Sequence, residues 1–303
     1  MKNLTIKSFF ITTCILFANC SPPPSSSNAE VASILPLLQS GSNTSSIVKT
    51  DDTNTGNTIE NTTPPSYEEG TWLADTAADA PAHTGSGFQD KTKATNGVRG
   101  AGLGGGSTDV YSLQYASATP NDYIVLEWAG KKITNGPGID FIVFENAFKV
   151  GTSTDYFMDI AIVEVSNDRT NWCGFNPDYV FTPETTYSKK PEHWLRFAGR
   201  TPVLFHETTN NFNYVPAQVF NTVNSGGDGF NLDDLSDVNN LAGGSGCNTT
   251  LRDELKAGFT YIRLSSAPST RWKNPDTNAA FVKEAISNGA DFDGVYARYR
   301  KTR

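Results

Sequence analysis

Residues 157–165 read FMDIAIVEV, and this run decides the fold class. With side chains alternating every second residue, Phe157, Asp159, Ala161, Val163 and Val165 share one face. Met158, Ile160, Ile162 and Glu164 share the other, so apolar groups occupy both faces and a strand here needs cover on both sides. Runs of similar character recur at 110–115 (VYSLQY), 123–128 (YIVLEW), 140–145 (DFIVFE), 203–205, 259–264 (FTYIRL) and 292–299 (FDGVYARY). Turn residues separate them, as in Asn135-Gly136-Pro137-Gly138 and Asn167-Asp168. Two segments carry helix signals instead. Residues 250–257 open on a capping-box pattern, Thr250 with Asp253, and stop at Gly258. Residues 277–288 have Asp276 at the N-cap position, apolar Phe281, Val282, Ala285 and Ile286, and Gly289 as a stop. Many short strands, one or two short helices and no repeat of fixed period predict one all-β domain, a β-sandwich or jelly roll, over residues 71–303.

Ahead of that domain the composition changes character. Residues 1–20 read MKNLTIKSFFITTCILFANC, with Lys2 and Lys7 as a basic start and an apolar run at 9–17 too short to span a bilayer. This is an export signal. Its end, Phe17-Ala18-Asn19-Cys20, resembles a bacterial lipobox, in which the cysteine is acylated and becomes the new N-terminus. Asn19 stands where Gly or Ala is usual, a departure that resembles the looser lipoboxes of spirochaetes. The expected organisation is a lipoprotein signal peptide at 1–19, lipidation at Cys20, and a tether over 20–70. Ser21-Pro22-Pro23-Pro24 cannot continue a helix, and the Ser, Thr, Asn and Pro that follow bury too little apolar surface to offset chain entropy. A disordered tether of this length keeps its domain within about 40 Å of the anchor. Several acyl chains on one residue anchor stably where a single chain is marginal. The expected location is the outer membrane, lipid-anchored, at the cell surface.

The chain carries 24 Lys and Arg against 32 Asp and Glu; loss of Lys2 and Lys7 with the signal leaves 22 against 32, a formal charge of −10. A surface of that sign repels nucleic acid. The basic end formed by Arg298, Arg300, Lys301 and Arg303 reads as a solvated tail or a local binding patch. Of the four cysteines, Cys14 leaves with the signal and Cys20 carries lipid. Cys173 and Cys247 then either pair, as export favours, or remain as two buried thiols. The histidines His83, His193 and His206 show no ligand spacing that would complete a metal site around them.

The densest oxygen cluster is Asp228, Asn231, Asp233 and Asp234, with Asp237 behind it. Alternating Asp and Asn among glycines suits calcium, which takes six to eight oxygen ligands; a solvated acidic turn is the plainer reading. Asp140, Glu145, Asp291 and Asp293 lie in or beside apolar strands, where an unpaired carboxylate is costly. They must find a cation, an arginine or backbone donors. A structural Ca2+ stitching Asp140, Glu145 and Asp293 to the Asp228 loop is the sharper expectation. Glu127, Glu145 and Glu164 offer carboxylates for glycoside hydrolysis, though alternate strand positions ordinarily carry charge for solubility. No G-x-S-x-G elbow exists, and the glycines between Gly100 and Gly106 precede a strand, with no helix N-terminus to meet a phosphate. Trp172, Trp194 and Trp272 stand beside Asn, Lys and Arg in loop-like contexts, as contact anchors for a ligand or as core plugs beneath long loops.

Five of these stretches, GGGSTDVYSL (104–113), NGPGIDFIVFENAF (135–148), MDIAIVEVSNDRTNWCGF (158–175), GGDGFNLDD (226–234) and DFDGV (291–295), resemble a group of bacterial cell-surface proteins. Members of that group share GSxDVxSLG, DGPGxDFxVFENAF, AxVEVSxDGxxW and GGDxFDLxD elements and a closing FDLDAV-like strand. The resemblance covers about residues 103–299. The signal, the tether and the overall composition are similar to those of leptospiral surface lipoproteins. The resemblance implies a galactose-binding-like sandwich, and, by analogy of location, adhesion to laminin, fibronectin or plasminogen. The expected function is therefore that of a non-catalytic, surface-exposed lipoprotein that binds extracellular-matrix or plasma proteins. The alternative is a carbohydrate-binding module or glycan-active envelope enzyme.

Overall fold

The computed structural model describes residues 67–84, 87–114, 122–210, 215–236, 247–268, 272–274 and 276–303. The expected export signal, Cys20, nearly all of the expected tether and Asp237 lie outside these residues. In chain order the first strands are β1 (Glu68–Leu73), β2 (Thr76–Asp79), β3 (Tyr111–Ser112), β4 (Tyr123–Glu127), β5 (Lys131–Ile133) and β6 (Phe141–Glu145). After them come β7 (Phe148–Lys149), β8 (Tyr156–Phe157), β9 (Ala161–Ser166), β10 (Cys173–Gly174), β11 (Asp178–Tyr179) and β12 (Trp194–Leu195). The helical turns α1 (Pro216–Val219) and α2 (Thr222–Ser225), strand β13 (Asp228–Phe230), helix α3 (Thr249–Ala257), and strands β14 (Tyr261–Ser266) and β15 (Asp291–Thr302) complete the order.

Two antiparallel sheets make an all-β sandwich. The first runs β1-β15-β6-β13, with β3 and β5 also paired to the long β15; the second runs β10-β9-β14-β4-β2. Alternation fills the layer between them. Phe141 and Val143 of β6, Val295 and Ala297 of β15, Val163 and Val165 of β9, and Ile262 and Leu264 of β14 belong to one buried cluster. The opposite faces are covered too. Ile142 and Phe144 turn outward to meet Phe205, Val219 and Phe220, while Ile162 packs with Trp194, Phe197, Trp272 and Phe281. These two satellite clusters under long loops explain why every residue of β6 and β9 is buried.

Several expectations shift in detail. FMDIAIVEV is divided between β8, which pairs with β7, and β9. VYSLQY forms a ladder only at Tyr111–Ser112, and 203–205 contributes a single bridge, Val203 to Gly226. The C-terminal arginines are not a solvated tail: they sit on or directly after β15, the central strand of its sheet. Arg298 pairs with Glu69 at 2.8 Å and Arg300 with Glu68 at 2.9 Å, and Arg303 bonds Glu127. The Arg300 guanidinium also lies 3.2 Å from the Trp72 ring centroid. β1 thus begins at Glu68, ahead of the boundary expected at 71, because β15 provides both its hydrogen-bond ladder and its counter-charges.

Helix α3 ends at Gly258 as its sequence predicts, but Asn248, not Thr250, caps it, accepting from Leu251 N at 2.9 Å. The helix expected at 277–288 is absent. Buried Asn274 takes the Asp276 N–H on its side chain at 3.0 Å and the Asn278 N–H on its carbonyl at 2.9 Å, and its own N–H reaches Ala279 O at 2.8 Å. Such local bonds offer the backbone an alternative to a helical turn. Phe281 is drawn into an apolar cluster while Ile286 stays 81% exposed, so the helical apolar spacing never faces one surface. A disulfide joins Cys173 to Cys247, tying β10 to the entrance of α3.

Candidate functional site

On the second sheet, Ile162 and Val125 turn away from the core beside a group of polar side chains, Tyr123, Glu164 and Arg263. Register places Arg263 opposite Val125 on β4 and opposite Glu164 on β9. Direct cross-strand neighbours of opposite charge pair readily, and Arg263 meets Glu164 at 2.7 Å through both Nε and Nη2. The guanidinium lies 4.1 Å from the Trp172 ring centroid and 5.8 Å from that of Tyr123. Planarity and weak hydration suit a guanidinium to this stacked, ion-paired position. Tyr123 in turn donates to Asp79 on β2 at 3.0 Å. Asp79, Tyr123, Arg263 and the loop residues Arg169 and Thr170 wall a pocket of about 370 Å³.

The loop itself is held by one carboxylate. Asp168 Oδ1 accepts the N–H groups of Thr170 and Asn171, both at 2.8 Å, and Asn171 Nδ2 donates to Oδ2 at 2.8 Å. Ser166 Oγ closes the turn from the other side, accepting from Asp168 N and Arg169 N. The backbone bond from Asn171 and its companions lower the Asp168 carboxyl to about 2, since donors favour the charged form. Arg169, at φ 60°, adopts the left-handed conformation and lies 5.4 Å from the Tyr261 ring centroid.

Asp168 also borders a second, larger pocket of about 700 Å³, walled by Asn171 and by Asn248, Thr249, Thr250, Leu251 and Glu254 of the α3 end. The two pockets therefore adjoin across the 168–171 turn. Cys173 follows that turn in sequence and Cys247 precedes Asn248, so the disulfide holds the two walls of the larger pocket to each other. The surface so formed combines carboxylates, amides, hydroxyls and arginines, a donor and acceptor array suited to a hydrophilic ligand.

The residues singled out from sequence occupy other places. Asp228, on β13, is buried: its Oδ2 accepts Arg200 N at 2.8 Å, its Oδ1 accepts Thr201 Oγ1 at 2.9 Å and lies 3.3 Å from the Arg200 guanidinium. Asn231 caps the short turn after β13 through Asp233 N at 2.8 Å, Asp233 accepts from Asn135 at 2.7 Å, and Asp234 is exposed. Asp140 accepts Gly136 N at 2.8 Å and Leu232 N at 2.7 Å, and burial raises its carboxyl to about 7. Glu145 accepts Asp291 N at 2.9 Å, and burial followed by repulsion from Asp159 and Asp291 drives it well above the carboxylate range. Asp293 accepts Arg99 N at 2.8 Å and is raised by burial to about 7. Only Asp140 is brought to the loop that follows Asp228. Among the described residues no group of three or more His, Cys, Asp or Glu side chains stands where it would hold a metal ion.

Of the two roles open to the three tryptophans, their burial fits that of core plugs. Trp172 is 2% exposed, and Trp194 and Trp272 are fully buried. Trp194 stacks on Tyr179 at 3.8 Å and donates to Ser188 O at 2.9 Å, and Trp272 belongs to the same apolar cluster. Trp172 borders the smaller pocket, but with Arg263 laid over its ring. Glu127, Glu145 and Glu164 are respectively paired to Arg303, buried, and paired to Arg263. The glycines around Gly100 line a separate hollow of about 390 Å³, where the Arg99 guanidinium is paired with Asp109. Sequence reading passed over Asp79, Asp168, Arg169, Asn248 and Arg263; the one signal available was the Asn167-Asp168 turn after a strand. No family model, curated protein or solved structure matches the chain, and the site rests on its geometry.

Proposed function

We propose that the protein is a lipid-anchored binding protein displayed on the outer membrane, and that its sandwich holds a glycan, free or carried on an extracellular-matrix or plasma glycoprotein. The observation that carries this reading is the pair of adjoining polar pockets on the outward side of the second sheet. Drug-like ligands favour pockets that are mostly apolar, whereas these walls set hydroxyl, amide, carboxylate and guanidinium groups beside Leu251, Val125 and Trp172. Polyhydroxylated ligands exchange hydrogen bonds with such groups. Display fits the lipobox-like Cys20 and the tether that follows it.

A glycan array probed with the full mature chain, run beside solid-phase binding to laminin, fibronectin and plasminogen before and after deglycosylation, tests the proposal. Saturable array binding, and matrix binding that disappears with the glycans, is the expected result. Matrix binding indifferent to deglycosylation, with an empty array, overturns it in favour of a protein-binding adhesin. Protease digestion of intact cells tests display, since a protected domain removes the surface role.

A further inference from the structure

We infer that the ligand is an uncharged oligosaccharide that lies across both pockets, with the Asp168 turn as the ridge between two subsites. The inference rests on the glycan reading above and narrows it to a ligand class. Size is the first argument. Pockets of about 700 and 370 Å³ each fall within the roughly 300–1,000 Å³ that hold a small-molecule unit. Because both are bordered by Asp168, a chain occupying one continues into the other without leaving the surface.

Charge is the second argument. The smaller pocket presents Arg263 and Arg169 against Asp79 and Asp168, but the Arg263 charge is already matched by Glu164 at 2.7 Å behind it. The larger pocket shares Asp168 and adds Glu254, with no lining Lys or Arg. An anionic chain, sulfated or uronate-rich, therefore meets a net negative wall on a protein that is itself acidic. A neutral chain meets no such repulsion: its hydroxyls donate to Asp79 and Glu254 and accept from Arg169, Asn171 and Asn248. The third argument is rigidity. The Asp168 side chain accepts two backbone N–H groups at 2.8 Å from within its own turn, and the disulfide fixes the α3 wall against it. A site held in shape before binding loses less entropy on association.

The test is isothermal titration calorimetry of the mature chain with cello-, manno- and chitohexaose, the matching disaccharides, and a heparin hexasaccharide. At least one neutral hexasaccharide should bind about tenfold or more tightly than its disaccharide, because the second subsite is filled intramolecularly. That affinity should change less than about twofold between 50 and 500 mM NaCl, since no ion pair is made. Thr250→Trp, at an exposed position in the first turn of α3 and in the wall of the larger pocket, should erase the gain of the hexasaccharide over its disaccharide. A melting temperature unchanged from that of the native chain serves as the folded control for this variant. Preference for the heparin hexasaccharide with steep salt dependence overturns this inference and leaves glycan binding standing, as does equal affinity for disaccharide and hexasaccharide. If no glycan binds, the proposed function fails and the inference falls with it.

Discussion

Asp293 and Asp168 both accept backbone N–H groups, yet burial drives Asp293 up to about 7 while the Asp168 turn draws its carboxyl down to about 2. Asp293 is fully buried, receives one N–H from Arg99, and has an Oδ1 without a hydrogen-bond partner. Asp168 is exposed and receives donors from Thr170, Asn171 and Ser166. The difference separates two regions of the molecule. Around β6 and β15, the carboxylates of the sequence motifs latch loops to strands from inside. On the outward side of the second sheet, the Asp168 carboxylate keeps its charge at the solvent boundary, where a ligand can use it.

The widest test of that division compares Asp228→Ala with Asp168→Ala. Removing one partner of a buried pair leaves the other uncompensated, at about 3–5 kcal/mol. Asp228→Ala strips Arg200 and Thr201 of their shared acceptor, so urea denaturation should show a loss of that size. Asp168→Ala gives up solvent-accessible bonds and should cost about 1 kcal/mol, while weakening ligand binding. Equal losses at the two positions would erase the distinction. Next in size is the disulfide. Serine at both Cys173 and Cys247 should cost about 2–4 kcal/mol, the typical value for a crosslink, and should loosen the larger pocket before the motif region, as hydrogen exchange at residues 248–251 would report.

The pH response sharpens the contrast. Asp140 and Asp293 sit near 7 when folded and near 4 in an unfolded chain. The folded state holds these protons more tightly, so their contribution is complete below about pH 4 and is lost as pH rises through about 7. Asp168 has the opposite sign: its contribution is present above about pH 4 and is lost as pH falls toward 2. The melting temperature should therefore fall between pH 5 and pH 8. Asp293→Asn keeps an acceptor for Arg99 N and places a neutral amide where Oδ1 now lies. It should flatten that fall and stabilise the domain by about 1–3 kcal/mol at pH 8, the scale of one unsatisfied buried group. An unchanged slope in the variant would show that Asp293 does not titrate in the folded domain.

The same division marks how far the sequence could be read. Period-two alternation located β4, β6, β9, β14 and β15, because each sends one apolar face into the common core. It also exposed the problem of Asp140, Glu145 and Asp293, acids among apolar neighbours, without showing that Leu232 N, Asp291 N and Arg99 N answer it; those donors lie far away in the chain. The tryptophans looked accessible because their flanking residues are polar, whereas the satellite cluster that buries Trp194 and Trp272 is assembled from distant loops. The site was illegible for a similar reason. Asp79, Asp168, Asn248 and Arg263 come together only through the β14 register and the Cys173–Cys247 bond.

The smallest effect concerns the edge where support and site overlap. Asn248 caps α3 by accepting Leu251 N and also walls the larger pocket. Asn248→Ala should cost about 1 kcal/mol, the usual value of an N-cap, and should weaken hexasaccharide binding as well. Asn248→Asp keeps the acceptor and adds negative charge at the helix N-terminus, which the helix dipole favours. Its stability should match or exceed that of the native chain. If Asn248 only supports the helix, binding in the Asp variant is unchanged; if its amide N–H also donates to the ligand, binding falls although the fold is intact. Thermal melts and calorimetry on the two variants thus separate the structural use of this residue from its use at the surface, the same separation that distinguishes Asp228 from Asp168.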